Sequence, residues 1–203
     1  HNRIESVMHL PWLALLWFAA PFWESKPPSG WTHEELARLL SDSPWAQSTV
    51  YDNRVGGASP VRIILATARP VRDAEEQKRL RSPKRAGDPL GIDEDYREFL
   101  RYEAAKHIVI AISGTTAEAM SNGDETRMME KECVMKVGRK KYKMTGHFPP
   151  SSGDPYLRLI FPRMVTDSDK EIVFQVYVPG AVPPYREALF KVRELYHRGK
   201  LEI

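Results

Sequence analysis

The chain has 203 residues, 42% of them hydrophobic and 28% charged, a mixture that argues against wholesale disorder and suits one domain. Its 30 Lys and Arg against 27 Asp and Glu leave a net charge of only +3, too slight and too dispersed to be a nucleic-acid footprint. The single cysteine, Cys133, excludes an intramolecular disulfide and a cysteine-rich zinc site, and reads as a small buried apolar residue.

Residues 1–25 form an apolar, signal-peptide-like segment. The 16 residues from Met8 to Trp23 hold no Asp, Glu, Lys or Arg but contain Pro11 and Pro21, which is short for a membrane span and closer to the core of an export signal. Arg3 ahead of the run is offset by Glu5, and Ala19-Ala20 is followed directly by Pro21, so the flank and the cleavage pattern are imperfect. Residues 26–30 (KPPSG) read as an extended connector, and a single domain is expected over 31–203. The expectation is an exported chain, periplasmic or extracellular, with no stable membrane span once mature.

Thr32 followed by Glu35 has the spacing of a capping box, and Leu36, Leu39 and Leu40 give the helix that follows an apolar stripe; Ser43-Pro44 ends it. Strands are expected at Ala46–Asp52 and, more strongly, Val61–Thr67, with a turn at Gly56-Gly57 between them. Pro70 starts a charged surface helix running to Leu80, and Ser82–Gly91 is a polar loop. Asp93–Lys106 is an amphipathic helix carrying Tyr96, Phe99, Leu100 and Tyr102, and His107–Ile112 is an apolar strand placed centrally in the sheet. A further helical turn is expected near Thr116–Met120. Strands then follow at Cys133–Val137, Lys141–His147, Tyr156–Phe161, Ile172–Val178 and Glu187–Val192. The tail reads as a helical turn at Arg193–His197, a stop at Gly199 and an edge strand at Leu201–Ile203. Together these define an α+β domain: an antiparallel β-sheet, a meander in its C-terminal half, packed with two or three helices.

Three short stretches carry a resemblance: Asp42-Ser43-Pro44-Trp45-Ala46 behind the first helix, Ala68-Arg69-Pro70-Val71-Arg72 where a strand turns into a helix, and Gly199-Lys200-Leu201-Glu202-Ile203 at the end. In these the chain resembles a group of uncharacterised exported proteins of Acidobacteria. The resemblance implies export and a bacterial source; it implies no activity.

No catalytic spacing is found. The six histidines fall in no HxxxH, HExxH or HxH pattern, and neither GxSxG nor a phosphate-binding glycine loop is present, so no catalytic residue, metal ligand or cofactor is assigned. Three residues stand out as ligand-binding candidates. Arg69 and Arg72 put positive charge in the first turn of a helix, where the dipole disfavours it, and so call for a carboxylate partner or an external anion. His147 sits at a strand end before Phe148-Pro149-Pro150. The readings left open are a non-enzymatic domain binding a protein, glycan or envelope component, a carrier of a small apolar ligand, and a hydrolase drawing on His147 or His107.

Overall fold

The computed structural model describes residues 20–49, 60–82 and 94–203. Most of the apolar N-terminal run, the Gly56-Gly57 turn and nearly all of the Ser82–Gly91 loop lie outside the described residues. In chain order come α1 (Phe22–Ser25), α2 (His33–Leu39), β1 (Ala46–Thr49), β2 (Val61–Leu65), α3 (Arg69–Arg81), α4 (Glu94–Tyr102) and β3 (His107–Ile112). Next are α5 (Ala117–Ser121), α6 (Gly123–Glu132), β4 (Val134–Val137), β5 (Lys140–Lys143), β6 (Gly146–Phe148) and β7 (Leu157–Pro162). The chain closes with β8 (Glu171–Tyr177), β9 (Tyr185–Lys191), β10 (Tyr196–His197) and β11 (Lys200–Leu201).

The fold is α+β, with every sheet antiparallel. One sheet has the order β1-β2-β3-β7-β6 and the other β5-β4-β8-β9, while β10 and β11 form a small hairpin. β3 is the middle strand of five and is buried from Ile108 to Ile112, which is why its sequence is continuously apolar rather than alternating. The two sheets face each other across aromatic contacts: Phe161 on β7 lies 5.3 Å from Phe174 on β8, which lies 5.9 Å from Phe190 on β9. Each such side chain, fully buried, contributes roughly 1.5–3 kcal/mol. An apolar carrier would need a void where these rings sit.

The stretch expected as one strand over Lys141–His147 is divided between the sheets. Met144 N–H donates to the carbonyl of Cys133 ahead of β4 (3.4 Å), and Thr145 N–H donates to that of Ile160 on β7 (2.8 Å). Neighbouring peptide groups thus pair with different sheets, and the chain crosses over between them. At the opposite margin the Gln47 side-chain amide on β1 donates to the carbonyl of Leu189 on β9.

Six α-helices occur among the described residues, more than the two or three expected. Two are brief: α1 has 4 residues and α5 has 5. The 10-residue α6 is the one the apolar pattern does not announce, because only Met129 is buried on it. Its start is set by polar chemistry instead: the Asn122 side chain accepts from Asp124 N–H and Glu125 N–H, and the two acids occupy the first turn. The tail also shifts slightly. A 3-10 turn covers Val192–Glu194, and Lys200–Leu201 pairs with Tyr196–His197 around Arg198 (φ 49°) and Gly199 (φ 75°), the two positive φ values of a tight hairpin turn.

The domain begins before Trp31. Phe22 meets Trp23 and Trp31 edge-on, Trp23 meets Trp45, and Glu24 accepts from Arg198 N–H while lying 3.2 Å from His197 Nδ1. The expected connector is likewise fastened, since Arg81 donates to the carbonyls of Ser29 and Trp31. Apolar side chains at 22 and 23 serve the core, although in the sequence they extend the signal-like run.

At Thr32 the capping box is complete: Thr32 Oγ1 accepts from Glu35 N–H at 3.1 Å, and Glu35 Oε2 accepts from Thr32 N–H at 2.8 Å. The Lys26 ammonium and the Thr32 amide hold the Glu35 carboxyl below its ordinary range. A lowered carboxylate stabilises at neutral pH and loses that effect as pH falls through its folded value. Thr32→Ala is expected to cost about 1 kcal/mol in urea denaturation at neutral pH.

Candidate functional site

The site is built around an arginine inside an apolar strand. β7 reads LRLIFP, and Arg158 is 1% exposed. Leu157, Leu159 and Phe161 alternate with Arg158 and Ile160; Phe161 meets the four-stranded sheet, and Arg158 meets α3 and α4 on the other face. Arg158 Nε donates to Asp154 Oδ2 at 2.6 Å, and Nη2 donates to Glu75 Oε1 of α3 at 3.0 Å. The guanidinium lies 4.2 Å from the Tyr96 ring centre on α4 and 5.7 Å from that of Tyr156. Asp154 is fixed in turn: its N–H donates to Ser151 Oγ, and its Oδ1 accepts from Tyr156 N–H.

Hydrogen bonding in this cluster is incomplete. Arg158 Nη1, Glu75 Oε2 and the Tyr96 hydroxyl are all buried without a partner. Burial pushes the Glu75 carboxyl above its ordinary range, and Arg158 only partly offsets it. Burial raises the Tyr96 phenol as well.

Above the cluster, α3 and α4 border an open cleft of about 680 Å³. Four arginines line it: Arg69 and Arg72 from α3, Arg97 and Arg101 from α4. Four acids line it too, but each is engaged. Glu75 holds Arg158, and Glu76 takes a bidentate pair from Arg79 at 2.7 and 2.5 Å. Glu202 Oε2 accepts from Arg69 N–H at 3.1 Å, and Asp73 lies 3.8 Å from Arg69 Nε. Burial raises the Asp73 carboxyl, with Arg69 opposing. Among the described residues, Arg72 and Arg101 have no carboxylate within ion-pair distance; Arg101 lies 6.0 Å from the Tyr102 ring centre. Arg97 is engaged as well, donating to Glu94 at 3.1 Å, so the lining holds four arginines and four acids, and among the described residues Arg72 and Arg101 are the two cations in it without an ion-pair partner.

Arg69 and Arg72 therefore lie together in this cleft. The carboxylate that complements the first turn of α3 is Glu202, from the far end of the chain. His147 is elsewhere, half-buried on β6 at 3.9 Å from Glu130 of α6, and does not line the cleft. His107 Nδ1 lies 3.1 Å from the Glu103 carbonyl oxygen. Arg158, Glu75, Asp154 and Tyr96 were not singled out by sequence reasoning. The signal available was a lone charge in the middle of an apolar strand, a position buried on both faces that demands a partner.

Among the described residues, no group of three or more His, Cys, Asp and Glu side chains is arranged to hold a metal ion, and no helix is long and apolar enough to cross a membrane. Cys133 is buried; its Sγ accepts from Tyr177 N–H at 3.3 Å, and burial raises the thiol to about 11. A thiol reagent at mildly alkaline pH is expected to leave it unmodified in the folded protein and to modify it in denaturant, as a colorimetric assay would read. No protein-family model, curated protein or solved structure matches the chain.

Proposed function

We propose that the chain is an exported, non-enzymatic binding domain that holds an anionic partner, a glycan or other envelope component, against the arginine-lined cleft between α3 and α4. The pair Arg72 and Arg101, on facing helices of that cleft and without an ion-pair partner among the described residues, carries the reading. A volume of about 680 Å³ is in the range of small-ligand sites. Arginine suits the role because its fork of donors meets carboxylate or phosphate oxygens in pairs. Export rests on the Met8–Trp23 run and on the resemblance.

Calorimetry with inorganic phosphate and with a polyuronate is the direct test. Arg72→Ala/Arg101→Ala is expected to weaken both interactions about tenfold or more, equivalent to roughly 1.4 kcal/mol, and to reduce their salt dependence. Binding that is absent in the wild type, or unchanged in the double variant, removes the proposal. Export is tested separately by fusing residues 1–30 to a reporter active only outside the cytoplasm; an inactive fusion rejects it.

A further inference from the structure

We infer that Asp73 competes with the anionic ligand for Arg69, and that protonation of Asp73 hands Arg69 to the ligand. The cleft then holds anions more tightly in mild acid than at neutral pH. This rests on the reading of the cleft given above and adds a regulation to it. The four acids of the cleft are not held alike. Glu75, Glu76 and Glu202 each accept a hydrogen bond, from Arg158, from Arg79 and from the Arg69 N–H. Asp73 accepts none among the described residues; its Oδ2 stands 3.8 Å from Arg69 Nε, one turn back along α3.

That pair is open to exchange. The side chains are 64% and 33% exposed, and an ion pair so wet and so long is weak. An oxygen of an incoming anion can take the same guanidinium in place of Asp73, and two oxygens can take its fork together. Of the four arginines in the cleft, Arg69 is the one paired with an acid that itself lines the cleft; the partner of Arg97 is Glu94, outside it. Arg69 is therefore the cation whose availability Asp73 controls. Burial raises the Asp73 carboxyl, so the exchange comes nearer neutrality than for an ordinary aspartate. Arg69, His197, Arg72 and Arg198 oppose that rise, and His197 and Arg198 reach Asp73 from the C-terminal hairpin. Behind His197 stands Glu24, 3.2 Å from its Nδ1, and across the cleft Arg97 and Arg101 form the facing wall. By linkage, an anion that takes Arg69 makes Asp73 bind its proton more tightly, so anion and proton enter together.

The test is calorimetry of the full chain with sulfate, which stays divalent across the range in which carboxylates titrate. Sulfate is expected to bind about threefold or more tighter at about pH 4.5 than at about pH 7.5. Near the lower pH, comparison of buffers with different ionisation enthalpies is expected to show net proton uptake, a reading that needs no variant. Asp73→Asn is expected to bind at about pH 7.5 as tightly as the wild type does at about pH 4.5, and to lose most of the pH dependence. With Arg69→Ala in place, Asp73→Asn is expected to gain less than about twofold, because the guanidinium it releases is gone. Circular dichroism at both pH values establishes that each chain is folded. Equal affinity at the two pH values without proton uptake overturns the inference and leaves the anion cleft standing. So does a pH dependence that survives Asp73→Asn, which would belong to His197 or another acid, or a full gain from Asp73→Asn without Arg69. Sulfate that binds at neither pH overturns both.

Discussion

Replacing Arg158 with alanine is expected to destabilise the fold by roughly 3–5 kcal/mol, because it leaves two buried carboxylates without their shared cation. Glu75 is held in α3 and Asp154 ahead of β7, and neither can turn to solvent: their side chains are 8% and 5% exposed. The variant also loses the guanidinium stacked on Tyr96 and so loosens α4. Guanidinium chloride denaturation with matched slopes measures the change. Arg158→Met combined with Glu75→Leu and Asp154→Asn removes all three charges together, and is expected to recover most of the loss. A cost below about 1 kcal/mol for Arg158→Ala would mean that the cluster is not what fixes the helices to the sheet. The same site makes a pH prediction of definite sign. Glu75 is raised by burial, so the folded state binds its proton more tightly than the unfolded chain does. Its contribution therefore favours folding more as pH falls toward the carboxylate range and less as pH rises through the folded value, opposite to Glu35. Glu75→Gln is expected to flatten stability between about pH 4 and 7 relative to the wild type.

A chain starting at Lys26 is expected to be less stable than one starting at Pro21 by about 2–4 kcal/mol, from lost ring burial and ring–ring contacts. Five residues account for the difference. Phe22 and Trp23 cover Trp31 and Trp45, and Glu24 is the acidic partner of His197, whose ring is 6% exposed. Trp45 is itself fully buried, with Nε1–H donating to the Glu202 carbonyl at 2.8 Å, so its exposure would reach the C-terminal segment. Thermal unfolding of the two chains, followed by tryptophan fluorescence, is the comparison to make. Equal stability would return the start of the domain to Trp31.

The strands were the legible part of the fold, and β3 the most legible. Its run of Ile, Val and Ala has no polar position to place at a surface, so a central location follows from composition alone. The start of α2 was equally plain, because a capping box is written entirely in local sequence. α6 was hidden because its stability comes from a polar cap and one buried methionine, neither of which leaves a period in hydrophobicity. The division of the Lys141–His147 stretch was hidden for another reason. Which partner the Met144 and Thr145 amides meet depends on strands far along the chain. At the site, Arg69 and Arg72 were visible as cations misplaced against a helix dipole. Arg97 and Arg101 were not, since on an amphipathic helix they look like any solvated face. Glu75 was the most concealed: within RDAEEQKR it reads as one surface acid among several, and only the approach of β7 makes it a buried partner.

The most direct test of the anion cleft is a titration of the folded protein with inorganic phosphate, followed through the arginine side-chain N–H resonances by nuclear magnetic resonance. The Nε signals of Arg72 and Arg101 are expected to move together and saturably, with smaller changes at Arg69 and Arg97 and none at the sealed Nε of Arg158. Saturable shifts confined to Arg139, in the turn between β4 and β5, or no saturable shift at Arg72 and Arg101, would contradict the account.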